Sequence, residues 1–495
     1  MIPFSQLGVG GGRAPAGRSG RRGAVRSRRV GLLTFSDGRP HVHEELLPLT
    51  RQFQERLAAR LRGAGWDVVT GREIVWTTEL AQSEGRYLAA QGVEATVFNY
   101  AIWAWPHYSV IAAQFAPAPI LLLSNVNPQH PGLVAMLSAA GSLDQVGVFH
   151  GRVSGDIDDD AVFLRVQQFL RPAVARNRLR GQVYGVIGGR SMGMYTAVPA
   201  LDQWRRDFGI DIEHIDQFEI VRRAAQVPDS RAEAAIAWLQ RNGATIHYDG
   251  QKLTPELLRR QIKAYHAVRQ LVAEWRLDFC GIKGQPEMTT HFATMDVAEA
   301  FLNDPYDWEG PHEPIVCATE ADSDGALTMQ LFKHLAGTPV LFADVRHYDA
   351  ADDVWDLCNS GQHATYFAGR SFDPAENLRR VHLYPAIIYF PAGGASVMHV
   401  AAPGPVTLAR LARRNGKYWM AIVPAEFVEF PPEVEAQKVA ATTPQWPHAF
   451  ARFRVPADEF LAEYDSNHIH GVYGDWVADL VWFCRMTGIE PRVFA

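Results

Sequence analysis

The sequence predicts an α/β protein made of two doubly wound layers followed by a β-rich, antiparallel C-terminal part. Three observations carry that reading. Short aliphatic runs alternate with longer helical patterns from Val30 onward, the same alternation restarts near Gln182, and after Val345 the pattern changes to short strands punctuated by Gly and Pro. Strands separated by helices at such spacing specify βαβ units and parallel sheets covered on both faces.

In order, VGLLTF at 30–35 reads as a strand, residues 43–65 as a helix, WDVV at 66–69 as a strand, and a second helix ends at Gly92. ATVFNY at 95–100, PILLLSN at 119–125 and VGVFHG at 146–151 follow as strands, and a helix over 160–178 closes the first unit. The second unit opens with QVYGVIGG at 182–189 and continues through helices at 197–208 and 255–275 to the strands DFCGIKG, PIVCAT and PVLFADV. Segments such as IIYFPAGGASVMHVAAPGPVTLARL suggest antiparallel pairing, and the helix within DWVADLVWFCRMTG closes the chain. The expected units are therefore a basic extension over 1–29, α/β units over 30–178 and 179–345, and a β-rich unit over 346–495.

With 495 residues, 47% of them hydrophobic, the chain is long enough for several cores of ordinary composition. A net charge of -6 leaves no basic surplus for phosphates, which argues against a nucleic-acid partner. The four cysteines, Cys280, Cys317, Cys358 and Cys484, stand far apart, so neither a zinc knuckle nor a disulfide framework is expected and a reducing cytoplasm is the simplest location. The first 29 residues hold seven arginines and no acidic residue, without an apolar stretch, and read as a disordered extension. No apolar run is long enough to span a membrane.

The stretch PIVCATEADSDGALTMQLF at 314–332 places Glu320, Asp322 and Asp324 on alternate positions, where carboxylates repel unless something positive sits among them. Asp322 and Asp324 precede a helical pattern and read as caps of it. A calcium loop is excluded, because its twelfth position would be Leu331 where a bidentate Glu is required. Glu320 follows the strand PIVCA and Asp344 the strand PVLFA, so two neighbouring parallel strands would deliver one carboxylate each to a common edge. EYDSNHIHGVYGDWVADL adds His468 and His470. Two carboxylates and one imidazole suit Mn²⁺, with Co²⁺ or Mg²⁺ as alternatives, and leave coordination positions for substrate oxygens.

The run PYDWEGPHEPIVCATEADSDGALTMQLFKHLAGTPVLFADVRHY resembles the metal-site segment of the L-fucose isomerase family, in which a Glu and an Asp 24 residues apart bind manganese; Glu320 and Asp344 keep that spacing. Asn467, His468 and Gly474 are similar to the motif carrying the family's third ligand, which favours His468 over His470. SDGR at 36–39, IWAW at 102–105, NSG at 359–361, the YF-x-x-GG stretch from Tyr389 and QWP at 445–447 likewise resemble family segments. They imply substrate contacts for Arg39, Trp103, Ser360, Tyr389 and Trp446.

The resemblance implies two Rossmann-like domains with a β-rich C-terminal domain, a homo-oligomer of hexameric type, and interconversion of an aldose such as L-fucose or D-arabinose with its ketose. Glu320 and Asp344 would be both ligands and proton carriers in passing through a cis-enediolate. Lys283 stands where well-known members have a substrate-binding Gln, which opens the alternative of an anionic or sulfonated sugar. GVIGGRSMGMYT at 185–196 lacks the dinucleotide fingerprint and resembles a site-shaping loop of the family, which sets aside a nicotinamide-dependent dehydrogenase. A non-catalytic sugar binder of two α/β layers is the remaining rival, and it would need no metal triad.

Overall fold

The computed structural model describes residues 28–360 and 362–495; most of the basic extension, residues 1–27, lies outside the described residues. Strands β1 (Arg29–Phe35), β2 (Asp67–Thr70), β3 (Ala95–Tyr100), β4 (Ile120–Asn125) and β5 (His150–Gly155) form a parallel sheet in the order β2-β1-β3-β4-β5. Alternate residues of these strands enter two separate cores. Leu32, Val97 and Leu121 meet the helices Pro40–Gly63 and Asp160–Leu179, while Leu33, Phe98 and Leu122 meet the helices on the other face. The side-chain period of two thus buries both faces of the central strands β3 and β4, every residue of which is buried, while β2 and β5 at the edges are only partly covered.

One strand lies away from its expected place. VGVFHG at 146–151 is mostly the turn after the helix Gly132–Gln145, with Gly147 at a φ of 72° and Val146 and Phe149 exposed. The strand starts at His150, where the backbone meets Ile120 of β4. Hydrophobicity marked the segment, but partner register set the strand.

Strands β6 (Val183–Ile187), β7 (Asp211–Ile215), β8 (Thr245–Ile246), β9 (Phe279–Ile282), β10 (Tyr306–Asp307), β11 (Gly310–Pro311) and β12 (Cys317–Thr319) follow. Four of them make a second parallel sheet in the order β12-β9-β6-β7. Its two faces are again buried separately, Ile187 and Ile282 on one side and Tyr184 and Phe279 on the other.

The remaining strands are β13 (Leu341–Asp349), β14 (Val354–Cys358), β15 (His382–Pro385), β16 (Ala395–Met398), β17 (Gly404–Arg414), β18 (Lys417–Phe427), β19 (His448–Phe453), β20 (His468–Tyr473) and β21 (Glu490–Val493). Six of them run β17-β20-β13-β14-β19-β18 by antiparallel pairing, and β17 also pairs with β18. The sheet therefore closes into a barrel, with β21 added in parallel on β18. Small residues, Ala343, Ala421, Ala449 and Ala451, share its interior with Leu341, Leu357 and Ile469, and closure leaves the six strands no free edges. β15 and β16 instead form a small sheet with β8.

The strand PVLFADV is thus β13 of the barrel and not a strand of the second parallel sheet. Its backbone pairs with β14 and β20, and β12 is the edge strand of the parallel sheet. The helix Ser323–Ala336 lies between the two, contributing Leu327, Leu331 and Phe332 to a core shared with Tyr184 and Phe279 on one side and Phe342 and Ala409 on the other.

The first sheet is anchored through the helix Asp160–Leu179, which packs on the last helix, Val477–Thr487, by Phe169 against Trp482. Arg171 donates two hydrogen bonds to buried Asp479, at 2.7 and 2.9 Å. Removing one partner of a buried pair leaves the other desolvated and uncompensated. Arg171→Ala should therefore lower the unfolding free energy in urea by about 2–4 kcal/mol, and Arg171→Leu combined with Asp479→Leu should recover most of the loss; a single variant as stable as the parent would contradict this anchor.

Candidate functional site

Glu320 leaves β12 in a left-handed conformation, φ 58°, followed by Ala321 at 51°. Two successive non-glycine residues in that region are sterically costly and are retained where the surroundings fix them. The turn aims the Glu320 side chain, 8% exposed, at the barrel, where Asp344 of β13 and His468 of β20 are directly paired across antiparallel strands. His468 Nε2 lies 3.2 Å from Glu320 Oε2 and 3.4 Å from Asp344 Oδ1. The structure thus brings Glu320, Asp344 and His468 together, from a parallel sheet and a barrel.

Asp322 fixes the imidazole. It caps the helix Ser323–Ala336 as expected, its Oδ1 accepting from Gly325 N at 3.0 Å. It also takes two hydrogen bonds from the fully buried Arg410 of β17 and contacts His468 Nδ1 at 2.7 Å. A carboxylate holding the second ring nitrogen sets which tautomer the first presents. A Cβ at residue 325 would come within 2.6 Å of Asp322 Oδ2 and 2.8 Å of Arg410 Nη1, so glycine is what lets the network close on the helix terminus. Asp324 differs from expectation: its carboxylate does not cap the helix but pairs with Arg413 at 2.9 Å and accepts from Tyr418 Oη at 2.6 Å. The barrel supplies these cations, and the sequence placed none beside the acids.

Burial pushes the Asp322 carboxyl up, but Arg410 and His468 pull it further down, well below its ordinary value of 3.8. Burial lowers the His468 imidazole, yet the hydrogen bond to Asp322 and the nearby Glu320 and Asp344 carboxylates more than offset this and raise it to about 10. Asp344 is pushed up by burial to about 6, against the pull of His468. Three carboxylates around one imidazole, two at Nε2 and one at Nδ1, demand a positive charge among them. His468 Nε2 is buried and has no hydrogen-bond partner among the described residues. Its contacts there are with two carboxylates, so the donor set fits a hard or borderline divalent cation.

Sequence reasoning missed two contributors. Gln285 Nε2 donates to Glu320 Oε1 at 3.2 Å, and the Gln285 carbonyl is held in turn by Ser191 Oγ at 3.0 Å. Ser191 belongs to the Gly-rich loop after β6, so that loop shapes the site. Arg410 could have been noticed as the cation interrupting the apolar pattern VTLARLA at 406–412. Asn467, part of the motif read above, donates to Asp344 Oδ1 at 3.1 Å.

The remaining candidates are dispersed. Lys283 pairs with Glu287 at 2.6 Å, so its charge is already compensated. Ser360 is buried beyond the end of β14, and Trp446 is buried against Phe390 and Cys358 with Arg346 over its ring at 5.3 Å. Tyr389 is 65% exposed. Arg39 is held by Asp37 at 2.6 Å and Trp103 packs, half-buried, against the apolar core on one face of the first sheet, both beyond strand ends of that sheet. Neither makes a recorded contact with Glu320, Asp344 or His468 among the described residues.

Two parallel α/β sheets docked to a closed barrel, with a carboxylate and imidazole set where sheet and barrel meet, define a multi-part α/β protein with a polar site at a layer junction. The chain matches the L-fucose isomerase first N-terminal domain over residues 27–181, the second N-terminal domain over 276–337 and the C-terminal domain over 357–493. It is 24% identical over 549 aligned positions to L-fucose isomerase of Citrobacter koseri, covering 95% of this chain and 91% of that protein. Against L-fucose isomerase of Escherichia coli it is 25% identical over 365 positions, 66% of this chain and 60% of that protein. The chain belongs to the L-fucose isomerase family.

The Asp322 carboxyl is lowered on folding, so the stability it contributes is complete above its ordinary value of 3.8 and is lost as pH falls below it. Thermal midpoints of the wild type should therefore drop more steeply below about pH 4 than those of Asp322→Asn. Equal slopes would remove Asp322 from the acid-sensitive set.

Proposed function

We propose that this protein is a metal-dependent aldose–ketose isomerase acting on L-fucose, D-arabinose or a similar neutral aldose. The observation that carries the proposal is the convergence of Glu320 and Asp344 on His468 Nε2, at 3.2 and 3.4 Å, with the ring held from behind by Asp322. The activity named for the relatives supports the same reading. In this reading the first two layers are Rossmann-like domains and the protein works in the cytoplasm.

A divalent ion held by Glu320, Asp344 and His468, Mn²⁺ first and Co²⁺ or Mg²⁺ otherwise, would supply Lewis acidity and a template for the oxygens on C1 and C2. The chain's own residues then move the proton. One of the two carboxylates takes it from C2 of the aldose and returns it to C1 through a cis-enediolate, while the hydroxyl proton passes from O2 to O1, and the reverse reaction exchanges the positions. Gln285 holds Glu320 Oε1 and leaves Oε2 turned to the site, while Asn467 steadies Asp344. Ser360 and Trp446 would meet the sugar's hydroxyls and its apolar face, with Tyr389 at the rim. Because Glu287 already neutralises Lys283, a neutral sugar is favoured over an anionic one. Arg39 and Trp103, outside the cluster in a single copy, would reach it from a second copy in a homo-oligomer, hexameric in this reading.

Glu320→Gln should cut turnover by about 10²–10⁴-fold with an unchanged circular dichroism spectrum; retained activity would remove Glu320 from the mechanism. Asp322→Asn, which keeps the helix cap's acceptor, should weaken Mn²⁺ binding in calorimetry by about 10–100-fold. The direct test is ketose formation from L-fucose, D-arabinose and an anionic hexose by EDTA-treated protein before and after Mn²⁺ is restored. Ion-dependent turnover of a neutral aldose is expected, and none on any aldose despite bound Mn²⁺ would overturn the proposal.

A further inference from the structure

Asp344 belongs to a longer row of polar side chains. In cross-strand register His468 pairs with Asp344, Asp344 with Cys358, and Cys358 with His448, so the four stand side by side on the outer face of the barrel, with neighbouring Cα atoms about 5 Å apart. Asp356 lies two residues before Cys358 on the same face of β14. Asp356, Cys358 and His448 are all buried, and each offers a ligand atom within 4.8 Å of the other two. Among the described residues, this is the group that meets so tight a limit.

The hydrogen bonds fix one nitrogen of His448 as a donor. Its Nε2 lies 3.1 Å from the Thr443 carbonyl oxygen, which can only accept, so Nε2 carries a hydrogen. Nδ1, the other ring nitrogen, lies 3.0 and 3.1 Å from Asp356 Oδ1 and Oδ2. Two acceptors at that separation need a positive charge between them, either a proton or a cation. Thr442 Oγ1 donates to Asp356 Oδ2 at 3.0 Å, so that both the carboxylate and the imidazole are held by groups behind them.

There is a way in. A cavity of about 300 Å³ runs from exposed Asp352 and half-buried Asp349 past Lys438 to Asp356, with His347, the residue opposite Asp356 on β13, in its wall. Lys438 Nζ pairs with Asp349 at 2.6 Å and with Asp352, so the mouth is charge-compensated and the cavity serves as a route and not as a cation trap.

We propose that Asp356, Cys358 and His448 form a second metal site, taking a thiophilic divalent cation of the Zn²⁺ class. A thiolate, an imidazole and a carboxylate select Zn²⁺ or Co²⁺ over Mn²⁺ and Mg²⁺, unlike the oxygen-rich set of Glu320, Asp344 and His468. On binding, the Cys358 thiol loses its proton to solvent and the sulfur bonds the metal. The ion would stand one strand from Asp344 and add positive charge beside it. Zn²⁺ and Mn²⁺ would then occupy neighbouring positions on one barrel face without competing for one ligand set.

The test titrates Co²⁺ alone into the EDTA-treated full chain. A thiolate-to-cobalt charge-transfer band should appear in the near ultraviolet, persist in Glu320→Gln, and vanish in Cys358→Ser and His448→Gln. Zn²⁺ stoichiometry should fall by one equivalent in Cys358→Ser. Should that variant fold poorly, X-ray absorption on wild-type protein carrying one equivalent of Zn²⁺ decides, because a bound Cys358 places a sulfur at about 2.3 Å from the metal. A shell of nitrogen and oxygen only, or a cobalt band unaffected by Cys358→Ser, would overturn the site. Loss of turnover in Glu320→Gln with the band intact separates this inference from the isomerase reading.

Discussion

Asp322 ties three parts of the molecule together, and the site depends on that junction. Its carboxylate caps the helix Ser323–Ala336, takes two hydrogen bonds from Arg410 on β17 and holds His468 Nδ1 on β20. Desolvating a guanidinium and a carboxylate costs several kcal/mol per ion, and the cost is offset only when geometry is good and the remaining polar atoms are satisfied. Here the helix terminus, the imidazole and the Thr196 carbonyl supply extra partners, and of the guanidinium nitrogens only Nε is left without one among the described residues. A parallel sheet and a barrel that share few direct strand contacts are thereby fixed in one relative position.

The rest of the site is rigid for related reasons. The closed barrel holds Asp344 and His468 on paired strands, where spacing is set by the backbone ladder instead of by loop conformation. Glu320 comes from a strained turn, and the strain is held by the buried helix that follows and by Gln285. Preorganised polar groups of this kind do not have to be reordered when charge develops on a substrate.

The electrostatic layout separates compensated from uncompensated charge. Lys283 with Glu287, Arg413 with Asp324, and Arg171 with Asp479 are closed pairs. Glu320, Asp344 and His468 retain an unused ring nitrogen among carboxylates, and the row continues through Cys358 to His448. These groups line one outer strip of the barrel, where Cys358 lies beside the buried Trp446 and Phe390.

The sequence by itself determined the parallel layers, because strands buried on both faces must be continuously apolar and the helices between them amphipathic. It also marked Glu320, Asp344 and His468, whose residue types and spacing resemble a known family. Barrel closure was not legible, since short antiparallel strands read alike whether the sheet is open or closed. For the same reason the sequence does not place β13 in its sheet: an apolar run such as PVLFA does not name its partner. VGVFHG shifted because hydrophobicity locates a segment but register locates the strand. Only the tertiary structure turned Asp322 from a simple cap into the group that orients His468, because Arg410 lies 88 residues away along the chain. It also brought Cys358 to Asp356 and His448, since pairing across a sheet is decided by which backbones meet.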